Sequence, residues 1–293
     1  MVTHPGGAHT DDFLSCCLLA SKYAVSIERR DPNETDLEDA SVFVVDVGGS
    51  YDEALNNYDH HQFPIEKEPV QCALSLVLKH FGLYETAFKH CPWLEVAERM
   101  DVYGPTKTSA WMGISCDQLA QLHSPAHFSL VKLFSQQERL SPEDALYVVM
   151  QQIGGDILNY LQTLEVKIQW FEENAKILEV KSESHAQGSF VVMQVVRNES
   201  GEVAEDQSLG MFQYIDQYNE TNPENPIIGT IMPDRRSAGY SLTRFQDHPA
   251  LDFNRVKGAE GVHFVHASGF VAKTELTDEA ELLALFAQAY SEV

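Results

Sequence analysis

Cationic side chains are scarce in this sequence. Twenty Lys and Arg stand against 44 Asp and Glu in 293 residues, a formal net charge of −24. A surface so acidic argues against a generic nucleic-acid-binding module, which needs a basic face. Long apolar runs are missing too. None approaches the roughly 18 residues of a membrane-spanning helix, so no membrane association is expected. The opening MVTHPGGAHTDD has no basic stretch leading into an apolar one, so no secretory signal is read there. Cysteine is sparse: five residues (16, 17, 72, 91 and 116), none in a CxxC pair. The spacing excludes a zinc ribbon, and the odd count without a CxxC pair reads as reduced thiols in a cytoplasmic protein. No internal repeat or low-complexity tract is evident.

What is present suffices for sizeable cores: 44% of residues are hydrophobic, with 15 Phe, 11 Tyr and 3 Trp. The first half alternates strand-like and helix-like pieces. Val2–Thr3, Tyr23–Arg30 and the apolar Ser41–Val47 read as strands. Asp12–Tyr23, Gln71–Phe81, Tyr84–Tyr103 and Ser115–Leu122 read as helices. This βαβ order predicts an α/β fold whose N-terminal parallel sheet is flanked by helices, with its site in loops at the carboxyl ends of strands. Ser141 in SPED is placed to cap a helix. Beyond Gly154–Gly155, apolar residues from Ile157 to Leu178 recur at spacings of four and three, the stripe of a long helix. Such a stripe packs within its domain, bridges two domains or pairs two copies, so a homodimer stays open.

The period then changes. Phe190–Val196, Ile227–Met232, Tyr240–Phe245 and Val262–Ala272 read as strands, and a last helix follows with Thr277 as its cap. The expected organisation is residues 1–150 as a metal-binding catalytic domain, 151–185 as a linking helix, and 186–293 as a smaller substrate-binding α+β domain. NESGEVAEDQS and NETNPENP are read as polar loops. One segment escapes the acidic bias: residues 227–275 hold six Lys/Arg against five Asp/Glu, whereas the rest of the chain holds 14 against 39. It suits an anionic substrate.

Three groups of His and Asp follow apolar runs. The first is THPGGAHTDD, with His4, His9, Asp11 and Asp12. The second is Asp46, at the end of VFVVD. The third is YDHH, with Asp59, His60 and His61. Imidazole with carboxylate and no thiolate suits a catalytic site for Mn²⁺, Fe²⁺, Co²⁺ or Zn²⁺. An unpaired carboxylate at the end of a buried strand would be costly. A metal pair bridged by Asp46 would explain it.

The motifs THPGGAHTDD, DVGGSYD…NYDHHQ and FVHASGF, in this order, resemble the Myg family of the DHH phosphoesterase superfamily. The resemblance implies a two-domain DHH-type fold and metal-dependent hydrolysis, with 3′–5′ RNA exonuclease activity. Position by position it implies one ion held by His4, His9 and Asp46. A second would be held by Asp11, Asp46, His60 and an aspartate on a later helix, Asp101 or else Asp117. His9 stands where the superfamily usually has a carboxylate, which shifts preference from Mg²⁺ toward Mn²⁺, Fe²⁺ or Zn²⁺. Pro5, Ala8 and Asp12 replace the family's Asn, Phe and Glu. His61 would face substrate and Asp59 would orient a histidine or cap the turn. FVHASGF resembles the glycine- and histidine-bearing motif of DHH-associated domains and implies substrate contacts from His266, Ser268 and Gly269. Arg235 and Arg236, in the less acidic segment, are candidate phosphate ligands.

The expected function is therefore hydrolysis of phosphodiesters by a water activated between two divalent ions, Mn²⁺ foremost. The substrate would be RNA or a short oligonucleotide. The alternatives are a small phosphate compound, such as pyrophosphate or a dinucleotide, and a metal-binding regulator without turnover.

Overall fold

The computed structural model describes residues 1–64, 70–181, 189–195 and 209–291. The chain divides into two compact units, Met1–Thr163 and Leu164–Val293. The division falls inside one long helix, α8.

Unit 1 is built on β1 (Val2–Thr3), β2 (Ile27–Arg29), β3 (Val44–Val45), β4 (Tyr51–Asp52), β5 (Asn57–Tyr58) and β6 (Arg139–Leu140). They form a sheet of order β4-β5-β3-β1-β2-β6. The four inner strands are parallel, and β4 and β6 pair antiparallel at the edges. The chain leaves β1 toward β2 on one side and returns to β3 on the other. Strand order therefore reverses between β1 and β3, where α/β sheets open a crevice. The helices are α1 (Thr10–Lys22), α2 (Glu34–Glu38), α3 (Ala73–His80), α4 (Tyr84–His90), α5 (Pro92–Trp111), α6 (Cys116–Gln121), α7 (Pro125–Ser135) and α8 (Ala145–Asn174). Helices α1, α3 and α8 bury Leu18, Leu19, Leu74, Val77, Leu158 and Leu161 over the sheet.

The parallel sheet between helices is as expected, yet the strands are far shorter than the apolar runs implied. Val44–Val45 is all that pairs within Ser41–Val47. SYDEALNN, polar in composition, is structured: β4 and β5 enclose a 3₁₀ turn, and Asn57 is buried. Tyr84–Tyr103 is two helices, because Pro92 starts a new one, and α5 is itself broken at Gly104 (φ 74°, ψ 175°) before Pro105. Ser141 does not cap α8. Its N–H and hydroxyl donate to the Asp144 carboxylate instead. Nor do Gly154–Gly155 precede the helix; they lie within it. A Cβ on Gly154 would sit 2.0 Å from the Cys17 carbonyl oxygen, so its absence lets α8 lie directly on the α1 backbone.

Helix α8 ends at Asn174. Ala175 and Leu178, the end of the apolar stripe, belong to β7 (Ala175–Lys181). Unit 2 adds β8 (Ser189–Val195), α9 (Met211–Thr221), β9 (Ile227–Pro233), β10 (Tyr240–Arg244), β11 (Val262–Val265), β12 (Val271–Thr274) and α10 (Glu279–Ala289). Its sheet runs β11-β12-β10-β9-β8-β7, an α+β arrangement as expected. Val262–Ala272 is a hairpin rather than one strand, and Asp278, not Thr277, caps α10. Phe253, Phe286, Leu251 and Val192 fill the core. NESGEVAEDQS lies outside the described residues. No described helix is long and apolar enough to cross a membrane. All five cysteines are free thiols, four of them buried.

Candidate metal centre

The register of the parallel strands builds the site. Thr3 aligns with Val45, and Val45 with Tyr58. His4, Asp46 and Asp59 are thus the first residues past the carboxyl ends of three adjacent strands, at the switch point. A site there needs no long-range coincidence; three short apolar strands in register suffice.

Each ligand candidate has a local reason for its position. Asp46 takes the left-handed conformation (φ 56°), which aspartate tolerates better than most residues, and so leaves the strand direction at once. Gly48 follows at φ 97°, where a Cβ would crowd Leu37 and Pro32. The Gly49 N–H donates to Asp59 Oδ2 at 2.6 Å, tying both ends of the excursion together. His9 is the N-cap of α1, and its N–H donates to Asp12 Oδ1 at 2.7 Å. Asp11 and Asp12 occupy the first turn, where the helix dipole favours acidic groups. Asp101 sits on α5, one turn before its break.

These residues converge. His4, His9 and Asp46 offer ligand atoms within 4.8 Å of one another, and so do Asp11, Asp46, His60 and Asp101. Asp46 is common to both sets. His4 Nε2 lies 3.2 Å from Asp12 Oδ2 and 3.4 Å from Asp46 Oδ2. His60 Nε2 lies 3.1 Å from Asp46 Oδ1 and 3.0 Å from Asp101 Oδ2. His9 Nδ1 is 3.5 Å from Asp101 Oδ1. Asp117 is exposed in the first turn of α6 and belongs to neither set.

The electrostatics are those of a crowded acidic cage. Burial, followed by the charges of Asp46, Asp101 and Asp12, pushes Asp11 well above the ordinary carboxylate range. Asp46 is raised by burial, against its hydrogen bond with His60. The Asp12 contact lifts His4 to about 9. Burial works against a charged His60, but Asp101 and Asp46 still raise it to about 9. Burial would raise Asp101, yet His60 and His9 hold it well below the usual range. Protonated imidazoles thus balance part of the acidic charge.

A divalent cation fits this cage. Both Asp11 oxygens are buried beside other carboxylates, with no N–H donor to serve them among the described residues. Buried oxygens of this kind are costly unless something positive sits against them. The mixture of imidazole nitrogen and carboxylate oxygen suits borderline divalent metals.

Asp59 lies between the turn and the His61 ring. It accepts the Gly49 and His61 N–H groups, and its Oδ1 lies 2.6 Å from His61 Nδ1. The His61 side chain, 63% exposed, therefore keeps Nε2 free for the cavity. That cavity, about 280 Å³, is lined by the polar His9, His60, His61, Gln71 and Asp101 and the apolar Phe63, Pro64, Val70 and Val102.

The unit 2 candidates are not one group. His266, Ser268 and Gly269 form the β11–β12 turn, where Ser268 Oγ is 2.7 Å from His266 Nδ1 and Gly269 takes φ 66°. Arg235 and Arg236 lie in the β9–β10 turn. Tyr240 of β10 pairs with Pro233 and Thr274, whereas Thr243 pairs with Val271. The two turns thus stand at opposite ends of β10, and one phosphate cannot be gripped by both. His263, which alternation marks as structural, is exposed at a bulge in the edge strand β11.

Arg29, which the sequence offers only as a strand end, has its side chain 2% exposed beside Asp12. A cation at the third residue of a strand carries no signal of its own. Only the alignment of Thr3 with Arg29 reveals it.

Residues 1–95 match the model of the MYG1 exonuclease family, described as an uncharacterised protein family, UPF0160. The MYG1 exonuclease of Rattus norvegicus is 38% identical over 95 residues, 27% of this chain and 24% of that one. That of Homo sapiens is 37% identical over the same length and shares. The match thus spans about a quarter of these relatives' length. A solved DHH-domain chain, described as belonging to a family of ribosomal proteins, is 14% identical at a TM-score of 0.33, covering 98% of this chain and 85% of that one. So loose an overlay supports no further statement. The resemblance to the Myg family holds over residues 1–95, the stretch that supplies every residue of the two ligand sets except Asp101.

Proposed function

We propose that this chain is a divalent-metal-dependent phosphodiester hydrolase of DHH type, acting as a 3′–5′ exoribonuclease or oligoribonuclease. The observation that carries the reading is the pair of buried Asp11 oxygens that no N–H donor serves, inside a cage of His4, His9, Asp46, His60 and Asp101. His4, His9 and Asp46 would hold one ion, and Asp11, Asp46, His60 and Asp101 the other. Bound there, divalent ions supply positive charge opposite phosphoryl oxygens and acidify water. Mn²⁺ best suits three imidazoles with three carboxylates. Asp59 fixes the His61 ring through Nδ1, so Nε2 would donate to a phosphoryl oxygen or pass a proton to the leaving oxygen. Residues 186–293, with His266, Ser268 and Gly269 in one turn, would serve as the substrate-binding module. The reduced cysteines agree with a cytoplasmic setting.

The apolar wall of Phe63, Val70 and Val102 favours an organic phosphate over bare pyrophosphate. Its small volume favours a chain end or short oligonucleotide over a long strand. The test combines metal analysis with hydrolysis of labelled RNA, a dinucleotide, pyrophosphate and a chromogenic phosphodiester in Mn²⁺, each repeated with Asp46→Asn. RNA shortened from its 3′ end by wild type alone is expected. Pyrophosphate cleavage alone would overturn the nuclease reading. No metal-dependent turnover on any substrate would leave the regulator.

A further inference from the structure

We propose that Arg29 is a positioning residue: its guanidinium clamps the loop that carries His4 and His9, and so sets the metal centre's geometry. Arg29 aligns with Thr3 across the β1–β2 pair, which brings it beside the loop that begins at His4. Nη1 donates to the Gly6 carbonyl at 3.0 Å and to the Phe134 carbonyl at 3.4 Å. Nη2 donates to the Gly7 carbonyl at 3.5 Å and lies 3.6 Å from Asp12 Oδ2. The guanidinium carbon stands 4.7 Å from the centre of the Phe134 ring.

The loop needs such a clamp. Gly6 and Gly7 are exposed, have no side chains to pack, and give the backbone wide freedom, with Gly6 at φ 83°. A planar, always-charged fork can hold two successive carbonyls at once, which an ammonium cannot do with the same geometry. The far side of the same fork faces Asp12. Asp12 in turn accepts the His9 N–H and touches His4 Nε2. One buried cation therefore reaches both histidines, each through one intermediary. Arg29 makes no contact with either ligand set and would not touch substrate.

The metal consequence rests on the reading above; the clamp itself does not. The test uses the full chain, wild type and Arg29→Lys, with two readouts. Backbone ¹⁵N relaxation of the metal-free proteins should show order parameters at Gly6–His9 near about 0.85 in wild type and below about 0.6 in the variant, with α1 unchanged. Co²⁺ titration followed by its visible absorption should show affinity falling about 10- to 100-fold, as for other residues that orient metal ligands. An ordered loop in Arg29→Lys would overturn the proposal. So would a loosened loop with unchanged Co²⁺ affinity and spectrum. A wild type that binds no Co²⁺ while the loop responds as expected would overturn the metal reading and leave the clamp supported. Should Arg29→Lys fail to fold, Asp12→Asn decides by the same readouts. It keeps an oxygen for the His9 N–H and replaces the charged oxygen facing Arg29 and His4 by an amide nitrogen, which cannot accept from either. Loss of loop order and of Co²⁺ affinity supports the proposal, and no change in either overturns it.

Discussion

Asp11→Asn should change sign with metal. In the metal-free protein the Asp11 carboxylate is buried and faces Asp46, Asp101 and Asp12, with no N–H donor to serve it. Asparagine keeps the shape, removes the charge and brings two N–H donors to neighbouring carboxylates. Relieving an unsatisfied buried polar group is worth about 1–3 kcal/mol. For a unit of this size that is a rise of roughly 3–9 °C in melting temperature. The pH dependence follows from the raised pKa. The native state holds the Asp11 proton more tightly than the unfolded chain, so wild-type stability falls as pH rises above the ordinary value of 3.8. The advantage of Asn should vanish near pH 4 and be present at pH 7.5. Mn²⁺ at a hundredfold excess over its Kd should add about 2.7 kcal/mol to wild type. The variant, short of one ligand, should gain much less. Calorimetry in chelator and in Mn²⁺ would show the two proteins exchange rank. A variant that melts below wild type in chelator, or one that gains as much from Mn²⁺, refutes the reasoning.

Other outcomes follow from the same geometry. Metal-free stability should decline as pH rises from 6.5 through about 9, because His4 and His60 hold protons more tightly when folded; urea titrations across that range check it. Mn²⁺ affinity should rise over the same window, as the two rings give up their protons. Asp59→Asn should lower kcat about 10- to 100-fold with little effect on Mn²⁺ binding, because it frees the His61 ring; unchanged kcat would remove that role. Gly269→Ala should destabilise unit 2 by more than about 1 kcal/mol, since its Cβ would lie 2.0 Å from Asp252 Oδ1 at a positive φ. A chemical denaturation curve reads that directly.

Much of the centre was legible because its chemistry is local. His and Asp placed directly after apolar runs mark strand ends, and strand ends mark the crevice. Asp46 was readable on that ground; the roles proposed for His60 and His61, which follow the polar NNYD, came from the resemblance to the Myg family. Asp101 was less readable, since nothing within VAERMDVYG distinguishes it from a solvated helix aspartate. Arg29 was invisible, because its role depends on which strand lies beside it. The helix ends were misread for a related reason. Ser141 and Asp144, or Thr277 and Asp278, are equally good caps by residue type, and the choice between neighbours is made by the approach of the chain. The length of β3 was overread because Phe43, before Val44, is buried outside the paired stretch, and Asp46 turns the chain away just after Val45. The grouping of Arg235 and Arg236 with His266 failed because charge along the chain carries no information about which end of a sheet a turn occupies.

Asp46 narrows what evolution or an experimenter can place at that position. Its backbone tolerates only residues at ease in a left-handed turn, so Asn and Gly preserve the fold while β-branched residues strain it. On the proposed function its side chain would present an oxygen to both ligand sets, which Gly cannot do and Asn can do only without charge. The two filters, applied together, leave aspartate alone. Saturation mutagenesis at this codon should therefore sort into three tiers: one residue that folds and binds metal, two that fold without binding it, and the remainder that do neither well. A position whose alternatives are exhausted in this way records two separate constraints in one letter of the sequence.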